Sequence, residues 1–539
     1  MSSAVHTAEV RSADADIVGR GMTMSDQLAR QARVDGGRIA FVYDATRRSY
    51  REVDERVSRL ANALRERGVG HGDRVVVLGF NTLEVIEAYF AVVRLGAICV
   101  PVNFRLVAHE IAYILEDSGA AAAVVQARFL DVVTEARSLA GETGSLLVFG
   151  GEPRGDAEEY EGVLAQAEPS FREHRVELAE PAFIMYTSGT TGRPKGAVLT
   201  HNHLLLHSVN TIAHSDAPML DRVNLVAAPL FHVAAMAGLL KPLMLGGRTI
   251  VQPFGAFDPA ALLDLVERER ISSLFLVPTQ WQAVCEVPGI ERRDLSSLRR
   301  IAWGGAPATI ALLELLNATF PQAPVVSVFG QTECGPITAM LQGADQVRKI
   351  GSIGLPTLNV EVRVVDDDLN DVAAGEVGEI VYRTPMVMKE YWNKPEATAE
   401  AFRGGWFHSG DLVRRDEEGY LYIVDRKKDM IISGGENIYC AEVENVLAGH
   451  PKVREVAVVG VPHEKWGETP LAVIVPQDPG EPPTTDELTG WLAPRLARYK
   501  RPHQVAIVGS LPRNSLGKVL KDRIRRDREA GRLSVQAAR

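Results

Sequence analysis

The sequence predicts an α/β protein: a large N-terminal domain of α/β subdomains with a small barrel-like piece, followed by a small α+β C-terminal domain. Through most of the chain, short apolar runs alternate with amphipathic stretches, a pattern typical of parallel sheets covered by helices. Between 360 and 383, strand-like runs are separated only by turn residues, which indicates an antiparallel or barrel-like piece. A charged segment, residues 425–429, then precedes a last compact stretch.

Length and composition limit what this protein can be. A chain of 539 residues is too long for one core, so we expect several domains, with a boundary at 424–430 where the charged segment interrupts the pattern. The net charge of −10 argues against nucleic acid as a partner, because nucleic-acid binders usually carry a basic surface. Four widely spaced cysteines fit free thiols in a reducing cytoplasm, and no apolar run is long enough to span a bilayer. We therefore predict a cytoplasmic protein.

Two helix–strand pairs illustrate the alternation in the N-terminal domain. One helix presents a regular apolar face, and the buried strand 74–78 is predicted to follow it. A second helix begins at Pro259, with Asp258 as its N-cap, and continues to Glu269 before the strand 274–277. The apolar face of the first helix consists of Val53, Val57, Leu60 and Leu64.

The C-terminal domain has strand and helix signals of its own. Apolar runs predict strands at 455–459 and 471–475. Thr484 with Glu487 three residues later forms a capping box, which marks the start of a helix. The last stretch, 513–539, has nine Lys and Arg against three Asp and Glu. A solvated helix face explains this excess best, and a peripheral contact with a membrane or a phosphate stays open.

The most informative segment is 186–196, which follows an apolar strand and contains three glycines, four Ser and Thr hydroxyls and two cations, Arg193 and Lys195. Glycines allow a backbone to approach a ligand closely, and loop N–H groups and hydroxyls suit phosphate oxygens. The segment therefore indicates a nucleotide-triphosphate loop, although no Gly-Lys-Ser/Thr closes it as in Walker A. A solvated Ser/Thr/Gly turn is the alternative.

Three further segments carry candidate site residues. Phe329 could stack on a base, and Glu333 nearby could bind Mg²⁺, a cation that prefers oxygen ligands. Asp411, which follows a Ser-Gly turn, could accept hydrogen bonds from ribose hydroxyls. Lys518 is presented by a turn near the C-terminus. Each signal is weak by itself, because each residue also has a purely structural explanation. Phe329 could be a packed core ring, Glu333 a surface acid, Asp411 a turn cap and Lys518 a solvated lysine.

Together these segments resemble the adenylate-forming superfamily of acyl-CoA synthetases, peptide-synthetase adenylation domains and beetle luciferases. The motifs occur in the family's order over almost the whole chain, and the chain most resembles bacterial FadD-type fatty-acid–CoA ligases. The resemblance implies that ATP, Mg²⁺ and CoA are used. A carboxylic acid, expected to be a fatty acid, forms acyl-AMP with release of pyrophosphate, and the acyl group then passes to CoA. The five motifs are YTSGTTGRPKG, FGQTE, WFHSGD, DRKKDMIISGGENIY and PRNSLGKVLK.

For the phosphates and the metal, the resemblance implies a pyrophosphate-binding loop, a magnesium ligand and a catalytic lysine. Glu333 matches the magnesium ligand, with Thr187 also expected at the metal and Thr332 beside the α-phosphate. Lys518 matches the lysine that catalyses adenylation. The loop residues are Thr187, Ser188, Gly189, Thr190, Thr191 and Lys195.

For the other parts of the substrates, the resemblance implies an adenosine site, a carboxylate site and a tunnel for pantetheine. The adenine would lie between Gly305 and Ala306 on one side and Phe329, followed by Gly330, on the other; the family more often has Tyr at position 329. The remaining matches are Asp411 and Arg426 for the ribose, His232 for the carboxylate site, Lys428 for the hinge, and Gly434 and Gly435 for the tunnel. The resemblance also implies that the segment 425–429 is a hinge between an N-terminal domain at 22–424 and a mobile C-terminal domain at 430–539.

The acyl site is expected along 233–238 and 275–282, where small residues leave room for a chain. Met236 stands where related long-chain enzymes can carry a gating Trp, and it suits an adaptable tunnel and plain core filling equally. No cation in these segments is an obvious partner for a second carboxylate, which disfavours a dicarboxylate substrate. Chain length, ring-bearing acids and a homodimer all stay open.

Three alternatives remain. A fatty-acyl-AMP ligase would keep the adenylation and pass the acyl group to a carrier protein; Gly434 and Gly435, and no evident large insertion between Glu333 and Asp411, favour CoA instead. Nothing in the sequence demands the oxygen chemistry of a luciferase-like enzyme. A non-enzymatic nucleotide-binding scaffold is disfavoured, because Lys518 is present together with Glu333 and Asp411.

Overall fold

The computed structural model divides into two compact units, which are described separately. The first unit comprises residues 1–188, 194–255 and 388–394, and the second comprises 189–193, 256–387 and 395–539. The residues that the structure describes are 23–141, 144–171, 176–187, 193–215, 222–305, 308–342, 345–433, 436–514 and 517–537.

The first unit contains two groups of strands with helices around them. Its strands are β1 (Ile39–Tyr43), β2 (Thr46–Ser49), β3 (Arg74–Leu78), β4 (Ile98–Pro101), β5 (Ala120–Gln126), β6 (Ser145–Phe149), β7 (Glu158–Glu159), β8 (Pro181–Thr187), β9 (Lys195–Thr200), β10 (Val223–Val226) and β11 (Arg248–Val251). Its helices are α1 (Met24–Asp35), α2 (Tyr50–Glu66), α3 (Leu83–Arg94), α4 (Ala108–Ser118), α5 (Leu130–Ala140), α6 (Tyr160–Gln166), α7 (His201–Ala213) and α8 (Val233–Met244).

Parallel pairing dominates the first unit. One sheet has the order β7-β6-β5-β3-β4-β8-β9, and every neighbouring pair is parallel except β8 and β9, which form an antiparallel hairpin. The other group has the order β10-β11-β1-β2, with an antiparallel pair only at β1 and β2. Parallel strands are buried on both faces, which explains their continuous apolar runs.

The second unit contains three groups of strands. Its strands are β12 (Ser273–Leu276), β13 (Arg300–Gly304), β14 (Val325–Phe329), β15 (Ala339–Leu341), β16 (Leu355–Pro356), β17 (Glu361–Val365), β18 (Val377–Arg383), β19 (Phe407–Arg415), β20 (Leu421–Arg426), β21 (Ile431–Ser433), β22 (Glu436–Ile438), β23 (Val453–His463), β24 (Gly467–Pro476), β25 (Gln504–Ile507) and β26 (Val535–Ala537). Its helices are α9 (Pro259–Glu269), α10 (Pro278–Cys285), α11 (Ile310–Thr319), α12 (Asp345–Arg348), α13 (Pro395–Ala401), α14 (Cys440–Ala448), α15 (Thr485–Leu492) and α16 (Lys521–Glu529).

The three groups of the second unit differ in topology. Strands β12, β13 and β14 are parallel, with β15 and β16 added antiparallel at one side. Strands β17 to β20 form an antiparallel four-stranded sheet, as the turn-rich pattern after residue 360 predicts. The C-terminal sheet has the order β22-β21-β24-β25-β26, with β23 also paired to β24. Two apolar clusters pack around the C-terminal sheet, one including residues of α14 and α15 and the other including Ile524 of α16.

Most of the predicted elements are present. The four apolar residues assigned to one face of α2 are each at most 1% exposed, and α9 has the predicted bounds and the Asp258 cap. Thr484 and Glu487 form the predicted capping box. The strand predicted at 274–277 begins and ends one residue earlier. Strands β23 and β24 are longer than predicted, because they pair with each other along their whole length.

As predicted, the four cysteines are free thiols. Among the residues that the structure describes, no helix combines the length and the apolarity needed to cross a membrane.

Candidate active site

Asp411 and Arg426 face each other on neighbouring strands of the second unit. They are paired in the register of β19 and β20, and Arg426 Nε lies 2.5 Å from Asp411 Oδ1. Asp411 lies inside a strand rather than just after a turn, and the preceding Gly410 has a φ of +70°, which glycine adopts without strain. Burial raises the pKa of the Asp411 carboxyl, whereas Arg426 and Lys518 oppose that rise. Such a carboxylate can accept hydrogen bonds from ribose hydroxyls.

Lys518 lies in the electrostatic neighbourhood of this pair. Its backbone closes a turn with Asn514: the Lys518 N–H donates to Asn514 Oδ1 at 2.8 Å, and its carbonyl accepts from the Asn514 N–H at 2.8 Å. The side chain is exposed to water, yet protein atoms crowd the amine. This desolvation lowers the pKa of the amine to about 8; Arg426 acts in the same direction and Asp411 opposes it. The structure thus brings together three residues that are far apart in the sequence.

Glu379, on β18, fixes the backbone that carries Asp411. One of its carboxylate oxygens accepts the Gly410 N–H at 3.0 Å. The other accepts from Lys427 Nζ at 3.1 Å and lies 3.1 Å from His408 Nδ1. Burial raises the pKa of Glu379, but the contacts with His408, Lys427 and the Gly410 N–H lower it overall. Sequence reasoning missed this residue; a charged side chain at a buried position of a predicted strand is the signal that would have found it.

Glu333 follows a turn that only glycine permits. Gly330 has a φ of +156°, and a Cβ there would lie 2.0 Å from the carbonyl oxygen of Pro336. The chain then forms a short 3₁₀ helix, Thr332–Cys334, which contains Glu333. Glu333 is 9% exposed, so a carboxylate is held in a largely buried position. One carboxylate suits Mg²⁺, which is usually bound by one or two carboxylates together with substrate phosphates.

Gly305 and Phe329, one residue from each predicted adenine wall, lie at the ends of adjacent strands. Strands β13 and β14 pair Gly304 with Val328, so that Gly305 and Phe329 follow at neighbouring positions. A Cβ on Gly305 would meet only Val277, at 4.0 Å, which leaves open space beside the backbone. The half-buried Phe329 ring ends β14. This juxtaposition is compatible with a flat ligand ring.

The ion pairs of the predicted hinge change partners between Lys427 and Lys428. Lys427 pairs with carboxylates of the four-stranded sheet and its loop, whereas Lys428 and Asp429 pair with α16. Contacts with the C-terminal part already begin at Asp425, whose carboxylate accepts the Cys440 N–H of α14. The pairs are Lys427–Asp367 (2.7 Å), Lys427–Glu379 (3.1 Å), Lys428–Asp522 (3.3 Å) and Asp429–Arg525 (2.8 Å).

In the first unit, Thr187 and Lys195 face each other at the base of the predicted phosphate loop. They form a pair in the register of β8 and β9, and Thr187 Oγ1 donates to the Lys195 carbonyl at 3.4 Å. The Lys195 amine lies 5.1 Å from the centre of the Tyr391 ring, within reach of a cation–π interaction. The hairpin therefore places a hydroxyl and a cation on the two sides of the loop.

His232 immediately precedes α8. Its ring centre lies 4.3 Å from that of Phe231, and burial lowers the pKa of the imidazole to about 3, with Arg105 acting in the same direction. The imidazole is therefore neutral at pH 7. Met236 is 1% exposed, which favours core filling over a role in a tunnel. The half-buried positions of the first turns are 233, 234, 237 and 238.

Several predicted site residues lie outside the described part of the chain, so the structure says nothing about them. These residues are Ser188, Gly189, Thr190, Thr191, Ala306, Gly434 and Gly435.

Comparison with known proteins identifies the family. A model of the AMP-binding enzyme matches residues 28–392, and a model of the AMP-binding enzyme C-terminal domain matches residues 442–518. The chain belongs to the AMP-binding enzyme family. The predicted resemblance to the adenylate-forming superfamily is confirmed, and so is the fold class with its large N-terminal and smaller C-terminal domain.

Relatives of this AMP-binding enzyme differ in the acids they are named for. A feruloyl-CoA synthase from an Amycolatopsis species is 44% identical over 94% of this chain and 99% of its own. The long-chain-fatty-acid–CoA ligase FadD13 of Mycobacterium tuberculosis is 38% identical over 92% of this chain and 97% of its own. A solved anthranilate CoA ligase, AuaEII with anthranoyl-AMP, is 26% identical with a TM-score of 0.87, over 95% of this chain and 98% of its own.

Proposed function

We propose that this AMP-binding enzyme is an ATP-dependent acid–CoA ligase. In the first step, a carboxylate oxygen of the acid attacks the α-phosphorus of ATP, and the bond to pyrophosphate breaks. In the second step, the CoA thiol attacks the acyl carbonyl of the acyl-AMP, and AMP leaves. The observation that carries this proposal is Lys518, a cation from the C-terminal part of the chain that is close enough to Asp411 and Arg426 for their charges to shift the pKa of its amine.

The first step has to join two anions. Oriented cations offset the repulsion between carboxylate and phosphate and the charge that develops on the leaving group. We assign that role to Lys518 near the α-phosphate, and the handling of pyrophosphate to Lys195 in its hairpin. Glu333 would be the carboxylate ligand of Mg²⁺, which would supply further charge neutralisation on the phosphates. The expected contact of Thr187 with the metal stays a prediction.

The second step needs room for CoA where Lys518 lies during the first. Rotation of the C-terminal domain about the segment 425–429 would remove the lysine, since hinge residues absorb the backbone change. The change of ion-pair partners between Lys427 and Lys428 supports a pivot at that place. The domain bounds 22–424 and 430–539 are part of this proposal.

For the acid, we propose an arylpropenoic acid such as ferulate as the first candidate. The relative named for feruloyl-CoA is 44% identical, against 38% for the relative named for long-chain fatty acids. The fatty acid remains the second candidate, because the half-buried side of α8 after His232 carries small residues that would leave room for a chain. A homodimer, a peripheral membrane contact and the cytoplasmic location remain predictions.

An acid panel of ferulate, indoleacetate and dodecanoate tests the proposal. Pyrophosphate release and thioester formation are measured for each acid, with and without CoA. Acid-dependent pyrophosphate release with an acyl-CoA product supports the ligase, and the relative kcat/KM values decide between the two acids. Acyl-AMP that accumulates despite CoA would favour a carrier protein as acceptor. No pyrophosphate release with any acid would contradict the proposed function.

A further inference from the structure

Asp117 is a buried carboxylate of the first unit that the proposed mechanism does not use. It lies in the last turn of α4, and its side chain is 8% exposed. It accepts a hydrogen bond from the Tyr186 hydroxyl at 2.8 Å and pairs with Lys394 Nζ at 2.6 Å. Tyr186 is the first residue of the predicted phosphate-loop motif. A carboxylate outside every motif therefore contacts the residue that begins the loop segment.

The same side chain is linked to the other side of the loop. Tyr113, one turn earlier on α4, donates its hydroxyl to the Pro194 carbonyl at 3.1 Å and lies 3.4 Å from Asp117 Oδ1. Burial raises the pKa of the Tyr186 phenol, and Asp117 adds to this, so the hydroxyl stays a donor at neutral pH. The end of α4 thus contacts β8 at Tyr186 and the residue just before β9, Pro194, on either side of the loop.

A third element joins the network. Residues 389–392 run beside β9 and exchange three backbone hydrogen bonds of 2.7–2.9 Å with residues 196–198. This segment carries Tyr391, which forms an isolated β-bridge with Ala197 and whose ring lies 5.1 Å from the Lys195 amine. The Asp117 carbonyl accepts from the side chains that follow, Trp392 Nε1 and Asn393 Nδ2, each at 3.1 Å.

We propose that Asp117 is a positioning residue for the phosphate loop and for Lys195. It holds the start of the loop through Tyr186, and it holds the segment that places the Tyr391 ring against the Lys195 amine. Binding two phosphates costs less free energy when the groups that receive them are already in place. Asp117 would therefore raise the fraction of molecules in which Lys195 and the two described ends of the loop segment are positioned to bind. This inference rests on the proposed role of the loop in binding the β- and γ-phosphates.

Loss of the Asp117 carboxylate should affect the binding of MgATP but not that of AMP. AMP lacks the β- and γ-phosphates, so its affinity should not depend on Asp117, whereas the affinity for MgATP should fall with the competent fraction. A merely structural role of Asp117 would weaken both nucleotides together or neither. The ratio of the two dissociation constants is therefore the readout.

The experiment is calorimetric titration of the full chain with MgATP and with AMP. Asp117→Ala removes the carboxylate, and Tyr186→Phe removes one hydrogen bond with little change in volume. Glu87→Gln is the matched control. Glu87 is 1% exposed on α3 of the same unit and pairs with Arg56 at 2.8 Å, and it has no hydrogen bond or ion pair with the described residues of the loop segment. We expect Asp117→Ala to raise the Kd for MgATP about tenfold and Tyr186→Phe to raise it less, with Kd for AMP within about twofold of the wild type.

The outcomes are distinct. Equal weakening of MgATP and AMP in Asp117→Ala, or an unchanged Kd for MgATP, would overturn the proposal. The same selective loss in Glu87→Gln would also overturn it, because it would follow from general destabilisation. A wild-type chain that binds neither nucleotide would reject the proposed function together with the inference, whereas a wild type that binds both leaves the variants to decide on Asp117 alone.

Discussion

The charge on Lys518 should make adenylation fall at moderately alkaline pH. The crowded position of the amine lowers its pKa to about 8, and only the protonated amine can offset the negative charge of the reacting groups. With that pKa, about nine-tenths of the amines are charged at pH 7 and about one-tenth at pH 9. We therefore expect the rate of ATP–pyrophosphate exchange to fall about tenfold between pH 7 and pH 9.

The assay compares the wild type with Lys518→Ala at MgATP and acid concentrations below their KM values, where the rate reports the pKa of the enzyme without bound substrates. The variant should lose about two to three orders of magnitude in exchange, the scale of losing one oriented electrostatic group, and its residual rate should not show the same fall with pH. Thioester formation from supplied acyl-AMP should survive in the variant, since this step does not use the lysine. A wild-type exchange rate that stays flat up to pH 10, or an equal loss in both half-reactions, would refute the reasoning.

Three further predictions follow from single contacts. Lys428→Pro fixes φ at the predicted hinge and should reduce the rate of thioester formation about tenfold with the rate of adenylation unchanged. Lys428→Ala should leave both rates unchanged. Equal rates of thioester formation in the wild type and the two variants would argue against a pivot at residue 428. Glu379→Ala frees the Gly410 N–H and should raise the KM for ATP about tenfold, but that for 2′,3′-dideoxy-ATP much less, as measured by exchange kinetics. His207 is buried, which lowers the pKa of its imidazole to about 4. Below pH 6.5 the imidazole is protonated in the unfolded chain but not in the folded one, so the free energy of unfolding should be about 2 kcal/mol lower at pH 5 than at pH 7. Urea unfolding of His207→Gln at the two pH values should show a correspondingly smaller decrease.

Local sequence rules predicted the elements well because they act over short distances. The capping box at Thr484 and the Asp258-Pro259 helix start satisfy backbone groups within one turn, so neighbouring residues suffice to specify them. The bounds of β23 and β24 were too short, because their length depends on pairing between two strands rather than on either strand alone.

The sequence by itself determined the alternation of strands and helices, the family motifs and the residue types that a phosphate-handling, adenylate-forming enzyme needs, because these depend on residue identity and short spacing. Only the tertiary structure decided that Asp411 lies inside a strand against Arg426 and that Lys518 shares their surroundings with a lowered pKa. It also decided that Asp117 and Glu379 contact segments that carry predicted site residues. Contacts such as Asp117 to Tyr186 join residues 69 positions apart, and burial and pairing over such distances depend on how the chain packs rather than on any local pattern.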